Sequence, residues 1–500
     1  MSRKAGVIMS YILMIFEVLS TLLITPYLIR DLGQAEYGVY KLVAAITAYL
    51  LLLDLGIGNA TTRYIAKYRV DKDIENERKF FGVSIIYYSL IAIITVVIGI
   101  VLIMIFPKAF GKGLSTSEIA LGQKLLIITI INAAVTLGTS QFNNIIIAYE
   151  NYTVSKGASI IQIIIRMFLT VIVLKLGMKS IGVVTVNLIM TVLCRSFFVL
   201  YVLFGFKLFP KFKEIKLDFI KEIVAYSSLI LLQMVATQIN SSVDQILIGS
   251  LVKSSAVILA VYGVGTQIVQ YYQSIGSSFT GILMPGIVKM IETNASIEEI
   301  TNEMIKIGRI ILLVLGLIWG CFLVSGRHFI VLWAGEANKQ AYFVTIILMT
   351  AYLFVLTESI GTQILWAKNE HKEQALLKIT IVLLNIVLTI LLIRWNPLIG
   401  ATLGTFMSLM LGDIVVMNVI FYKKLKLNLF YYYKGLFKGI VPAMIISIFI
   451  GFIGQNIFSN IGWIAFLINI IIMCSTYIIC LLAFGMNDYE KLLIKSVIRK

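Results

Sequence analysis

Fourteen times along the chain a run of 19–30 residues is almost free of charge and rich in Ile, Leu, Val and Phe. At about 1.5 Å per helical residue, such a run crosses the roughly 30 Å hydrocarbon layer of a bilayer. Lipid offers no hydrogen-bond partners, so every backbone N–H and C=O must be satisfied inside the segment, and runs of this length specify transmembrane helices. The runs are 5–29, 38–58, 81–106, 119–144, 155–176, 181–205, 223–250, 255–284, 304–325, 341–366, 376–394, 397–421, 438–458 and 461–484, here spans 1 to 14. Of the 500 residues 59% are hydrophobic and only 13% charged, too few charges to solvate a globular surface of that size. The expected fold is an all-α polytopic membrane protein. Arg3 and Lys4 before the first apolar run imitate a signal peptide, but no A-x-A-like cleavage site follows, so the run is read as span 1.

The net charge of +17 is distributed unevenly. With the N-terminus inside, the inner segments hold 29 of the 42 basic residues, including Arg63, Lys67, Arg69, Arg78, Lys79, Lys207, Lys211, Lys306, Arg309, Lys378, Lys423, Lys424, Lys434 and Lys438. The outer segments hold 11. The positive-inside rule then predicts both termini in the cytoplasm. Topology and attraction to anionic lipid account for these loops, and no nucleic-acid partner is expected.

All outer links are short, the longest near 107–118 and 326–340. The inner links 59–80, 206–222, 285–303 and 422–437 are longer and partly amphipathic. A membrane glycosyltransferase or polymerase is expected to carry acidic catalytic residues on a large outer loop. Here the outer acids Asp31, Glu36, Glu118 and Glu336 are widely separated, which disfavours that class. No phosphate loop, nucleotide fingerprint or nucleophile elbow is present, so an ATP-driven pump would need a partner's ATPase. The sequons at Asn59, Asn151, Asn240 and Asn294 fall within spans or on the inner side and are discarded.

Two basic residues remain outside the topology signal: Arg166 in span 5 and Arg195 in span 6, each near the middle of its apolar run. An arginine at mid-bilayer costs about 2.5–3.5 kcal/mol on insertion scales and faces a bundle interior or a wet cavity. Two at matched depth suggest a site for an anionic cargo.

Polar residues inside the spans also follow a pattern. Asn132, Thr136, Thr139 and Asn143 recur at steps of four, three and four in span 4. So do Gln233, Thr237, Asn240 and Asp244 in span 7, and Thr266, Gln270, Gln273 and Ser277 in span 8. Ser155, Ser159, Gln162 and Arg166 line one face of span 5, and Asn187, Thr191 and Arg195 one face of span 6. One such stripe is explained by interhelical hydrogen bonding; five predict a hydrated cavity.

The buried acids are Glu17 in span 1, Asp54 near the inner end of span 2, Asp244 in span 7, Glu358 in span 10 and Asp413 in span 12. Ion coupling and structural salt bridging both fit them, and Glu17 sits at a depth where it can neutralise Arg166 or Arg195. No cofactor or metal is expected; H+ or Na+ coupling is left open. Cys194, Cys321, Cys474 and Cys480 fall in apolar runs without His or acidic partners at ligand spacing and read as packing residues.

The stretch 27–68 is faintly echoed at 248–290, with Tyr40 and Lys67 matched by Tyr262 and Lys289. The offset of six spans suggests two parallel six-helix halves.

The run Pro26-Tyr-Leu-Ile-Arg-Asp-Leu-Gly-Gln-Ala-Glu-Tyr-Gly-Val-Tyr40, followed by Asp54-Leu-Gly-Ile-Gly-Asn-Ala-Thr-Thr-Arg63-Tyr-Ile-Ala, resembles Wzx-type polysaccharide flippases. These belong to the multidrug/oligosaccharidyl-lipid/polysaccharide exporter superfamily. The stretch from Gln238, "QINSSVDQILIGSLV", resembles the same family's second-half pattern. The resemblance implies two six-helix lobes in a V-shaped bundle, residues 1–222 and 223–437, with spans 13 and 14 and a cytoplasmic tail in 438–500. It implies alternating access and an undecaprenyl-diphosphate-linked oligosaccharide as cargo, with polysaccharide polymerase and glycosyltransferases as further partners. Arg166 and Arg195 would then hold the diphosphate. Asn132, Asn143, Gln162, Thr191, Gln233, Asn240, Gln270 and Gln273 would line the cavity, and Glu17, Asp54, Asp244, Glu358 and Asp413 would pair or couple. The lipid II flippases of the superfamily carry arginines in the first helix, whereas this chain has none between Lys4 and Arg30 and has Glu17 instead. A multidrug or lipid II exporter of the same fold is the alternative, and a drug exporter would favour an acidic, aromatic cavity.

Overall fold

The computed structural model describes residues 3–212, 217–293, 295–368, 370, 372–457, 462–487 and 489–492. Among these there is no strand. Eleven helical runs are long and apolar enough to cross a membrane. The first, Ile8–Val70, holds spans 1 and 2, and the other ten correspond to spans 3–6 and 9–14. Two further helices of 35 and 38 residues stand at spans 7 and 8. The expectation of an all-helical bundle of about fourteen spans is borne out. The chain forms two compact units, Met1–Ala260 and Val261–Lys500.

In the first unit α1 (Arg3–Leu50) is continuous except at Gly33, whose φ of 74° and ψ of 166° fold span 1 back into span 2. That backbone angle is open to glycine and strains other residues. A 3₁₀ turn (Leu51–Asp54) and the left-handed pair Leu55 and Gly56 then start α2 (Ile57–Val70). There follow α3 (Ile74–Phe110), α4 (Thr116–Gly138), α5 (Ser140–Ala148), α6 (Tyr152–Lys175), α7 (Lys179–Leu200), α8 (Leu217–Leu251) and the first turns of α9 (Ser255–Glu292). Asp73 caps α3 by accepting from the Asn76 amide, and hydrogen bonds from Asn76 hold its carboxyl below the usual range. Ser115 and Glu118 form a reciprocal capping box on α4. Helix α1 packs along α6, α4 and α8 and is the spine of this unit.

Three residues of the α1 motif, Glu36, Tyr37 and Gly38, hold helices together. Glu36 accepts from the Ser180 backbone N–H (2.9 Å) and hydroxyl (2.5 Å), and so holds the first turn of α7. There its negative charge also meets the positive end of the helix dipole. Tyr37 is fully buried. At Gly38 a Cβ would stand 1.8 Å from the Ala256 carbonyl oxygen, so α1 and the start of α9 touch through backbone. Gly38→Ala is expected to destabilise the protein by about 1–3 kcal/mol, because that contact is backbone and cannot rotate away. Detergent melting checks this, and an unchanged melting temperature would show that the two helices separate freely.

At the opposite end of this unit, α2 and α5 pack with the start of α3 around Ile65, Phe81, Ile145 and Val202. Tyr149, at the end of α5, joins the pieces. Its ring stacks on Phe206 at 4.1 Å and lies under the Arg69 guanidinium at 4.2 Å, and its hydroxyl donates to Glu77 at 2.7 Å. Burial, and then the Glu77 carboxylate, push the Tyr149 hydroxyl up, so it stays protonated as the donor.

The second unit contains the rest of α9, then α10 (Ile297–Ala334), α11 (Ala341–Thr357), α12 (Ser359–Ala367), α13 (Lys372–Ile393), α14 (Pro397–Leu409), α15 (Met417–Ile420), α16 (Leu429–Phe437), α17 (Ile440–Ile457) and α18 (Trp463–Cys480). Ser296 and Glu299 box the start of α10, and Asn396 followed by Pro397 starts α14. Helix α10 is the hub, packed against α11, α16, α17 and α18. π-helical turns at Met410–Val416 and Phe421–Leu425 interrupt span 12 on either side of α15.

Candidate substrate and coupling sites

Spans 4 and 10 were expected as unbroken helices, and both are broken. α4 gives way to α5 at Thr139, the third member of the span 4 polar stripe. α11 gives way to α12 at Glu358. A polar residue interrupts the ladder at each break.

In the first unit Arg166 is half-buried on α6 and lies close enough to act electrostatically on the Tyr40 hydroxyl of the α1 motif. Arg195 is half-buried on α7, its guanidinium 6.0 Å from the Phe198 ring centroid. The helix bounds correct the expectation of matched depth. Arg166 is eleven residues before Gly177 and Arg195 eighteen after it, so at about 1.5 Å per residue the two are staggered by roughly 10 Å along the bundle. Glu17 is exposed on α1. Among the described residues neither arginine forms an ion pair, and Glu17 neutralises neither.

The sequence reading missed a further cation in this region. Lys41 follows Tyr40, inside span 2, half-buried and 5.4 Å from the Tyr37 ring centroid. Its signal is its position as the fourth residue of an apolar run.

Part of the polar stripe binds helices together. Ser155 on α6 donates to Asn143 on α5 at 2.7 Å, while Thr139 and Thr266 bond back to carbonyls of their own helices. The buried Asn132 Oδ1 has no partner among the described residues. Gln162, Thr191, Asn240 and Gln273 are half-buried and Gln270 is exposed. The side chains of Gln233, Arg3, Lys4, Lys221, Lys289 and Lys372 lie outside what the structure describes, and Lys213, Lys216, Asn294, Lys495, Arg499 and Lys500 lie outside the described residues. Asp54 is half-buried beside Tyr88 and the backbone of Gly56 and Gly58, and Asp244 is buried near Tyr49. A cavity of about 390 Å³ in this unit, between α1, α3 and α8, is apolar and includes none of the predicted residues.

In the second unit two acids of the expected set lie near each other and differ in partner. Asp413, in the π-helical turn, is paired with Lys378 on α13 at 2.5 Å. Glu358 is 2% exposed and has no cationic partner among the described residues. Asn418 Nδ2 meets its two oxygens at 3.2 and 3.1 Å, and the Tyr433 hydroxyl of α16 donates to Oε1. Asn418 Oδ1 is buried without a partner beside them. A buried carboxyl served by neutral donors can take a proton or accept a small cation without first breaking an ion pair. Asp413 lacks that freedom.

The family model described as "Polysaccharide biosynthesis protein" matches residues 4–291, more than half the chain. The chain belongs to this polysaccharide biosynthesis family. The match contains the motif of α1, the arginine hairpin and the second-half pattern of α8, which bears out the resemblance read from the sequence. No curated relative matches it in sequence. Among solved structures, the lipid II flippase MurJ in an inward closed conformation aligns with a TM-score of 0.74 at 17% identity, over 95% of this chain and 97% of that one. An inward-facing multidrug resistance MATE family transporter of the MOP superfamily aligns at TM-score 0.65 and 16% identity, over 81% and 95%. A MOP superfamily transporter from Pyrococcus furiosus aligns at 0.55 and 14%, over 84% and 96%. At such identities the likeness establishes the fold: this member of the polysaccharide biosynthesis family is a multi-pass membrane protein with the fold of those transporters.

Proposed function

We propose that this protein flips an undecaprenyl-diphosphate-linked oligosaccharide across the bacterial cytoplasmic membrane, for assembly of a surface polysaccharide. The observation that carries the reading is a pair of arginines within membrane-spanning helices that have no acidic partner among the described residues, in a polysaccharide biosynthesis family member. A guanidinium in a low-dielectric site is a strong partner for a diphosphate. The 10 Å stagger of Arg166 and Arg195 suits an elongated anion or two successive positions along its path. Alternating access would be a motion of spans 1–6 (residues 1–222) against spans 7–12 (223–437), with spans 13 and 14 in 438–500 and both termini cytoplasmic. The glycan would meet Gln162, Thr191, Asn240 and Gln273, while the prenyl chain stays in lipid. Polymerase and glycosyltransferases would act before and after the transfer.

The test is transfer of a fluorescent undecaprenyl-diphosphate oligosaccharide across reconstituted vesicles, with lipid II and a cationic drug as rival cargoes. Preferential movement of either rival would overturn the reading, and a new glycosidic product would place the protein among transferases.

Glu358 is the proposed coupling group, because its carboxyl is buried and not held by a cation. Glu358→Gln keeps an acceptor for Asn418 and Tyr433 and cannot titrate. It is expected to insert normally and to lose acceleration of flipping by an imposed proton or sodium gradient. A variant that still responds to the gradient would remove Glu358 from the coupling scheme.

A further inference from the structure

At the end of the second unit where α10 begins, a cavity of about 440 Å³ opens between α10, α16 and the segment after α18. Its lining includes Asn302, Tyr431, Lys434, Lys438, Phe484 and Asn487. Lys434 and Lys438 are exposed, and neither forms an ion pair among the described residues. Lys434 on α16 and Lys438 just past its end both line this cavity. Glu490, three residues beyond Asn487 of the lining, is consumed by the buried Arg309, which also binds the carbonyls of Gly435 and Lys438. Glu303 is paired with Lys306 beside a neighbouring cavity. The space is therefore cationic and its frame is fixed.

The same elements carry large apolar side chains that water does not favour. Phe430 on α16 is 78% exposed and Phe484 is 51% exposed. The Tyr431 hydroxyl donates to Asn302 at 3.0 Å, which sets an aromatic ring with a polar tip at the rim. Aromatic rings of this kind and lysines beside an apolar surface mark the headgroup level of a bilayer.

We propose that this cavity binds the headgroup of an anionic phospholipid, its phosphodiester between Lys434 and Lys438 and its acyl chains along Phe484 and Phe430. The site is separate from the cargo arginines and does not depend on which lipid-linked sugar is moved. It turns the general attraction of basic loops for acidic lipid into a defined position that steadies α16, the helix whose Tyr433 holds Glu358.

The experiment is a native mass-spectrometric titration of the full-length protein in neutral detergent with phosphatidylglycerol, phosphatidylcholine and inorganic phosphate. The intact protein is expected to retain phosphatidylglycerol in preference to phosphatidylcholine. Lys434→Gln/Lys438→Gln is expected to weaken retention about thirty-fold, about five-fold per lysine. Both lysines are exposed, so the melting temperature serves as the folding control, and the single Lys434→Gln and Lys438→Gln variants read the same effect in halves. Equal retention by the double variant, or equal retention of phosphatidylcholine, would overturn the proposal. Displacement of phosphatidylglycerol by inorganic phosphate at matched concentration would make this a soluble-anion site and overturn it as well.

Discussion

Arg309→Ala is expected to lower the stability of the second unit by about 3–5 kcal/mol, the cost of breaking a buried ion pair from one side. For a unit of this size that corresponds to a fall of about 6–20 °C in melting temperature. Arg309 and Glu490 are each 4% exposed. Arg309 Nε donates to Glu490 Oε1 at 2.6 Å and Nη2 to Oε2 at 3.1 Å. Its other donors reach the carbonyls of Gly435 (2.9 Å), Lys438 (2.7 Å) and Gly485 (2.8 Å). All five N–H groups of the guanidinium are used, and they tie α10 to the end of α16 and to the segment after α18. Removal leaves a buried carboxylate without compensation and three carbonyls without a donor, while Glu490→Ala leaves the opposite charge stranded. Arg309→Lys keeps the charge and loses the planar fork, so it is expected to recover only part of the loss. Thermal unfolding in detergent measures all three. A melting temperature unchanged in Arg309→Ala would mean that the pair is solvated.

The spans were legible in the sequence because a hydrophobic run of twenty or more residues is a strong signal and the bilayer permits one local answer to it. Start signals were equally local, as at Ser115 with Glu118 and at Asn396 with Pro397. The breaks at Thr139 and Glu358 and the π turns around Asp413 were not legible. Hydropathy is unchanged across them, and they are decided by what packs alongside. Pairings between distant segments escaped for the same reason. Arg309 was counted as one more inner charge because its partner lies 181 positions away. Tyr433 was hidden in an aromatic inner link, although it holds Glu358 from 75 positions on. The stagger of the two arginines is hidden when each is placed near the middle of its own apolar run, and it shows only when both are counted from the shared turn at Gly177. Their lack of an acidic partner could not be read from the sequence, because Glu17 was available at a suitable depth.

In the proposed transport cycle Arg166 and Arg195 hold the anionic part of the cargo. Nothing among the described residues pairs with either, so their removal leaves no stranded acid and the helices lose a costly group. Arg166→Ala and Arg195→Ala are accordingly expected to insert at least as well as the intact protein. Each variant loses charge-assisted hydrogen bonds to the cargo, worth about 1.5–3 kcal/mol per arginine, or about ten- to a hundred-fold in transport. The double variant is expected to be nearly inactive, and Arg→Lys at either position to be intermediate. The most direct measurement is the initial rate of flipping of a labelled undecaprenyl-diphosphate oligosaccharide in vesicles holding equal amounts of each inserted variant. A loss of at least ten-fold is expected in each single alanine variant and a larger loss in the double variant; full activity in both single variants would show that neither arginine holds the cargo.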